Sequence, residues 1–313
     1  MSRPLRIEYP GAVYHVTARG NADQPIFTGP EDGGRFLELL GREVAQQRWL
    51  CHGYCLLENH FHLLIETPEA NLGRGMGRLS MTYSQWANRR HGRRGHLFAG
   101  RYKAILLEKD AWLLALCRHV ALNPVRLGAV NRVDQWRWSS YRALAFGAAE
   151  PGWLHQGWVL DALGGGAAAR AAWRNYVDQG RHAPSPWDAL RSGHYLGGEG
   201  FLRDMAGRLE GRSFDQVPRA QTEPARPTAD AVIAAVAEAA GCAPDTVLDR
   251  RASPQAFRAG VYLLRRAANL PLAEVAAMGG VSAGRISQIQ RAFEDAGGLA
   301  RAYEWAEGLD IGA

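Results

Sequence analysis

The stretch LCHGYCLLENHFHLLIET, residues 50–67, decides the fold. It contains two strand-like apolar runs, 50–58 and 60–67, joined so tightly through Glu58 and Asn59 that they are expected to pair as antiparallel neighbours. Upstream, GAVYHVTARG (11–20) is another β-type run and ends at a Gly20-Asn21 turn signal. Between them, residues 31–48 place Phe36, Leu39, Leu40 and Val44 at helical spacing, with acidic residues in the first turn. Downstream, 72–90 reads as a helix carrying Arg74, Arg78, Arg89 and Arg90, and a basic turn, HGRRGHLFAGRYK (91–103), follows it. A short strand, AILLE (104–108), then precedes a helix from near Asp110 to about Leu122, which Pro124 is expected to stop. The order β-α-β-β-α-β-α is a ferredoxin-like split βαβ with an added helix, so residues 1–147 are expected to form one α+β domain.

Beyond it the pattern loosens. Residues 148–227 hold Gly164-Gly165-Gly166, many alanines and scattered aromatics, with helical patches near 167–179 and 198–209. The run VPRAQTEPARP (217–227) has the composition of a linker. Residues 228–313 read as all-helical. Ser253-Pro254 is a cap followed by proline at the first helical position. LPLAEVAAM, a Gly279-Gly280 turn and a helix capped by Ser282 together have the shape of a helix-turn-helix. Arg285 and Gln288 on its second helix are the candidate base-reading side chains.

At 313 residues the chain has about two domains' worth of sequence. With 47% apolar and 22% charged residues it is not a disordered chain. No apolar run approaches the roughly 18–20 residues of a membrane span, and the start, MSRPLRIEYPG, lacks the apolar stretch of an export signal. Four cysteines, Cys51, Cys55, Cys117 and Cys242, are too few for a disulfide scaffold and do not have zinc-ribbon spacing. The expectation is a soluble cytoplasmic protein with no membrane partner. Charge is unevenly divided: residues 1–147 hold 20 Lys+Arg against 12 Asp+Glu, and the remainder holds 17 against 19. A basic N-terminal half is the usual footprint of a polyanion binder.

The sharpest chemical feature is His60-Phe61-His62. Residues i and i+2 of a strand share a face, so both imidazoles point one way and Phe61 the other. Two neutral imidazoles side by side suit a metal ion, although an H-x-H pair also occurs often by chance. On the following helix His119 and Asn123 are four apart and share a face, so the helix can present both toward the strand pair. Each also has a plainer reading, His119 as a half-buried histidine and Asn123 as a cap before Pro124.

The runs HGYCLLENHFHLLIETPEANL (52–72), GHLFAGRYKAILLEKDAWLLALCRHVALNPVRLGAV (95–130) and WSSY (138–141) resemble the REP-associated tyrosine transposases, relatives of the single-tyrosine HUH transposases of insertion sequences. The resemblance covers about residues 5–147. SPWDALRSGHYLGGEGFL (185–202) is similar to an extension in one branch of that family, and residues 228–295 resemble the DNA-binding domain of the replication initiator DnaA. It implies a ferredoxin-like HUH domain, a mostly helical extension and an all-α helix-turn-helix domain. It also implies a divalent cation, Mg²⁺ or Mn²⁺, held by His60, His62 and Asn123. The substrate is then single-stranded or hairpin DNA, held by Arg89, Arg90, Arg93, Arg94, Arg101 and Tyr102 and cut by a helix tyrosine that forms a 5′-phosphotyrosine. The C-terminal domain would bind duplex DNA. Nothing in the chain fixes whether it acts as monomer or dimer.

This chain departs from the pattern at the nucleophile. The position four residues before the asparagine of Asn-Pro-Val-Arg, where the family has tyrosine, is His119. The leading reading is therefore a transposase-family protein on hairpin DNA whose cleavage step is in question. A non-catalytic DNA-binding module that keeps the fold, a metal-free regulator, and a zinc-type hydrolase that would have to draw on Glu66 are the others. The non-catalytic module and the metal-free regulator predict no nicking.

Overall fold

A computed structural model of the chain describes residues 7–148, 151–209 and 226–295, in two compact units, Met1–Gln221 and Thr222–Ala313. The linker expected at 217–227 lies almost wholly outside the described residues.

The first unit is built on a sheet of order β2-β3-β1-β4-β5. Its strands are β1 (Ala12–Arg19), β2 (Leu50–Leu57), β3 (His60–Thr67), β4 (Lys103–Leu107) and β5 (Tyr195–Leu196), and the β2–β3, β3–β1 and β1–β4 pairs are antiparallel. The 58–59 turn sets Leu57 opposite His60 and Leu56 opposite Phe61, as the tight spacing requires. Helices α1 (Pro30–Gln47) and α2 (Leu72–Arg90) pack on each other, and on one face Phe36 meets Phe61 at 4.8 Å between ring centroids. The start of α1 is fixed by Asp32, whose carboxylate accepts from the Thr28 and Gly29 backbone N–H groups at 2.7 and 3.1 Å. Gly33 is required there, because a Cβ would stand 2.8 Å from the Trp138 ring.

The sheet has an opposite face as well. Here it is covered by α3 (Lys109–Arg126) and by the residues that follow. Val13, Leu64 and Leu107 of the sheet share one buried cluster with Leu113, Leu116, Cys117 and Val120 of α3. Pro124 does not stop α3: the helix runs on to Arg126, with the Leu127 N–H bonding to the Asn123 carbonyl at 3.0 Å. Proline so near the end forfeits only the bond to the Val120 carbonyl, and its buried ring joins the packed side of the helix.

The segment after α3 is less loose than its composition suggests. Helices α4 (Tyr141–Phe146), α5 (Gly157–Asp161) and α6 (Ala169–Gln179) place Leu144, Val159, Trp173 and Val177 in the same cluster. β5, too short for alternation to reveal it, runs parallel to β4 and brings in Leu196, and α7 (Glu199–Gly207) follows. Large apolar residues scattered at irregular spacing hide a core face that a sheet, rather than their own helices, defines.

The second unit is helical: α8 (Ala229–Ala240), α9 (Pro254–Arg266), α10 (Leu272–Met278) and α11 (Ala283–Asp295). Thr228 and Ser253 accept from the N–H groups of Ala231 and Ala256, and Val236, Leu263, Leu264, Val275 and Ile286 form its core. No helix among the described residues is long and apolar enough to cross a membrane.

Trp173 is fully buried where the post-α3 segment meets the sheet cluster. Trp173→Ala is expected to cost about 3–5 kcal/mol, the usual range for a buried aromatic cut to Ala. Urea unfolding followed by tryptophan fluorescence measures it.

Candidate metal and nucleic-acid site

His60 and His62 lie on the α3 side of the sheet, because β3 alternates and the intervening Phe61 packs on Phe36. Their rings are 5.0 Å apart between centroids and nearly perpendicular. Each ring is anchored through Nδ1. The Asn59 amide donates to the Asp23 carbonyl at 3.4 Å, which turns its Oδ1 to accept from His60 Nδ1–H at 2.7 Å. His62 Nδ1 and His15 Nε2 share one hydrogen bond at 2.9 Å, and only the tautomer in which His62 donates leaves its Nε2 as the bare lone pair a metal requires.

His15 belongs to this group and was not among the residues expected from the sequence. It sits on β1 opposite Leu64, one alternation from Thr17, which faces His62. Its signal was present in the run YHVT, but only the β1–β3 register reveals which side it faces. Burial pushes its pKa down to about 3 and the neighbouring His119 adds to the effect. Burial, then His15, His60 and His119, hold His62 well below its usual value, and burial and Arg19 lower His60.

α3 brings His119 into the same cluster. Burial, with the Arg126 charge adding, lowers its pKa to about 4, so it is neutral near pH 7. Arg126 Nη1 donates to His119 Nδ1 at 2.7 Å and Nη2 to the Gly180 carbonyl at 3.3 Å. An arginine can only donate, so the neutral His119 ring carries its proton on Nε2. Trp187, in a short turn (Pro186–Ala189) capped by Ser185, lies over both His15 and His119, with centroids 4.8 and 5.1 Å away. Asn123, on the face between His119 and Arg126, has a buried Nδ2 with no hydrogen-bond partner among the described residues.

The candidate ligand set is therefore two anchored imidazoles and the Asn123 amide oxygen, with no carboxylate; the unpartnered Asn123 Nδ2 is an N–H donor and is not itself a ligand. Among the described residues no group of three or more His, Cys, Asp and Glu side chains is arranged to hold an ion. The residues fit a cation that keeps open positions, for water, an amide oxygen or a phosphate, rather than a closed protein cage. Glu66 is engaged elsewhere, at 2.7 Å from His52 Nε2 and 2.8 Å from Lys109 Nζ.

The basic turn is stitched to the strand end that carries His60. Asn21 N–H bonds to the Leu97 carbonyl, Ala99 N–H to that of Arg19, and Arg19 is the register partner of His60. Beside it runs a groove of about 840 Å³, lined by Met76, Ser80, Ser84, Asn88, Phe98 and Arg101 among others. Arg89, Arg94 and Arg101 are exposed, whereas Arg90 pairs with Glu31 and stacks on Trp86, and Arg93 bonds to the Pro25 carbonyl at 2.7 Å. Tyr102 is buried in the groove wall. In the second unit Arg285 and Gln288 are both exposed on α11, 3.2 Å apart.

Because the pKa values of His15 and His119 are depressed on folding, the unfolded chain takes up their protons first. Stability is full above about pH 6.5 and falls as the pH drops toward 4, by about 2 kcal/mol for each of the two at pH 5. Urea midpoints of the metal-free protein at pH 7.5 and 5 test this, and His15→Gln is expected to remove its share of the loss.

Residues 9–119 match the family model of the IS200-like transposases, a match that ends on His119 itself. No curated protein matches the chain. A solved structure described as a REP-associated tyrosine transposase bound to a REP hairpin is similar at 16% identity, covering 48% of this chain and 89% of that one, with a TM-score of 0.41. The similarity to the IS200-like transposases thus lies in residues 9–119, the part of the chain that holds strands β1 to β4, both histidines of the His60-Phe61-His62 run and most of α3.

Proposed function

We propose that this chain binds single-stranded or hairpin DNA through its first unit, holds Mg²⁺ or Mn²⁺ on His60, His62 and Asn123, and does not cut the strand it holds. The observation that carries the last point is the Arg126–His119 hydrogen bond, at the position where the family resemblance places the nucleophilic tyrosine. With Nδ1 occupied and Nε2 protonated, neither ring nitrogen offers a free lone pair to phosphorus.

The bound cation supplies Lewis-acid polarisation of a phosphate oxygen. The chain's own groups do the rest of the binding. Arg89, Arg94 and Arg101 meet backbone phosphates, and the groove beside the basic turn offers the exposed Met81 to unstacked bases and Ser80, Ser84 and Asn88 to their edges. In the second unit, α10 and α11 act as a helix-turn-helix on duplex DNA, with Arg285 and Gln288 reading base edges in the major groove. A role as a DNA-binding regulator follows from the same features, because none of them requires strand cleavage.

His60→Ala with His62→Ala is expected to abolish Mn²⁺ binding in calorimetry while leaving thermal unfolding nearly unchanged. Unaltered metal affinity would remove the two imidazoles from the proposal.

Cleavage is tested separately, with a labelled hairpin carrying a single-stranded flank and Mn²⁺, on denaturing gels. The unaltered chain should bind and give no adduct. His119→Tyr should give a covalent adduct, the phenolate oxygen bonding to phosphorus as the 3′ oxygen leaves and takes a proton. An acid-labile adduct from the unaltered chain would identify His119 as the nucleophile. An acid-stable one would point to another residue, with Tyr102 the first to replace.

A further inference from the structure

We propose that His15 is a positioning residue that decides whether His62 is available as a ligand. In the metal-free chain His15 donates to His62 and leaves the His62 proton on Nε2; the two rings exchange donor and acceptor roles when a cation is held. This rests on the metal reading above and goes beyond it, because it makes His60 a fixed ligand and His62 a switched one.

The contrast between the two anchors carries it. His60 Nδ1 lies 2.7 Å from Asn59 Oδ1, and an amide oxygen only accepts, so the His60 proton stays on Nδ1 and its Nε2 is always bare. His62 Nδ1 lies 2.9 Å from His15 Nε2, and a nitrogen of a neutral imidazole either donates or accepts. The His15–His62 pair therefore has two neutral arrangements with one hydrogen bond at its centre, and they differ only at the outer ends. If His62 donates, the His15 proton sits on His15 Nδ1. If His15 donates, the His62 proton sits on His62 Nε2.

The surroundings of those ends choose between the arrangements. His15 is 3% exposed, and its Nδ1 is sealed with no hydrogen-bond partner among the described residues. His62 Nε2 is not sealed in this way, so it is the end that water reaches. A buried N–H without an acceptor is rarer in folded proteins than a buried acceptor without a donor. The proton is thus better placed on the open His62 Nε2 than on the sealed His15 Nδ1. The His15 ring is held in place, 5.1 Å from the His62 ring between centroids and 22° from parallel, with Trp187 at 4.8 Å. Exchange leaves the charge unchanged. One proton passes from His15 Nε2 to His62 Nδ1, His62 Nε2 releases one to solvent, and His15 Nδ1 takes one up. The N–H then stranded at His15 Nδ1 is a cost subtracted from the affinity for the cation.

The test uses the full chain with histidine ¹⁵N labelling. Long-range ¹H–¹⁵N spectra of the metal-free protein should show His60 as the Nδ1–H tautomer and both His15 and His62 as Nε2–H. With saturating Mg²⁺, His60 should stay as it is while His15 and His62 become Nδ1–H. Replacing His15 by Nδ1-methylhistidine leaves a ring that only accepts at Nε2 and has no N–H to strand. In calorimetry that variant should bind Mn²⁺ about tenfold more tightly than the unaltered chain. His15→Leu, which removes the partner of His62, should bind more weakly. A His15 that merely packs would lower affinity in both, and thermal melting of each variant separates lost affinity from lost fold. An Nδ1–H tautomer at His62 in the metal-free chain overturns the proposal and leaves the metal reading standing. So does equal or weaker Mn²⁺ affinity in a methylated variant that melts like the unaltered chain. Failure of the unaltered chain to bind Mn²⁺ overturns both.

Discussion

The antiparallel register of β1 against β3 is the constraint on which the site depends. With Thr17 opposite His62 and His15 opposite Leu64, a slip of β3 by one residue would send His60 and His62 to the α1–α2 side and bring Phe61 to the other. The register is held from both faces. Phe61, Leu63 and Ile65 are buried on the α1–α2 side, and Val13 and Leu64 are buried with α3 on the other. Burial of apolar residues on both faces therefore fixes the direction of two polar ones, and a one-residue slip would have to expose a core to free the histidines.

Covering the second face changes the chemistry of those histidines. An imidazole on an open sheet would titrate near its ordinary value. Under α3, Trp187 and the Gly180 turn, burial keeps His15, His62 and His119 neutral well below that. Neutral rings are what a cation needs as ligands, and they carry no charge to oppose the two nearby guanidiniums. The post-α3 segment thus does two jobs at once: it completes the hydrophobic cluster through Trp173 and Val177, and it closes the polar end of the same face through Trp187.

The elements legible in the sequence were those with local signals. The Glu58-Asn59 hairpin turn, the periodicity of α1 and α2 and the alternation of His60 and His62 each depend on residues close in the chain. What stayed hidden was set by distant partners. Pro124 inside α3 contradicts a local rule and is tolerated because its ring is buried and the helix has only two residues left to run. The partners of the histidines, His15, Arg126 and Trp187, come from 47 residues before His62, from seven after His119 and from a turn beyond α6. No spacing rule links them. The tautomer of His119 was invisible for the same reason: it is decided by which side of the ring an arginine two helical turns away approaches.

On the proposed reading, that arginine also bears on how position 119 can lack a nucleophile while the first unit still binds DNA. A phenol at position 119 would be drawn toward its anionic form by the field of Arg126 and Arg118, the condition a phenolate nucleophile requires. An imidazole in the same place cannot become an anion, and the guanidinium that would have stabilised the phenolate instead consumes one ring nitrogen and leaves a proton on the other. The positive potential is unchanged by the exchange, because it belongs to the arginines. The field that would activate an attacking oxygen is the field that attracts a phosphate. On that reading, a neutral donor at position 119 leaves the bond-forming step without its nucleophile, while the arginine charge that attracts a phosphate is unchanged.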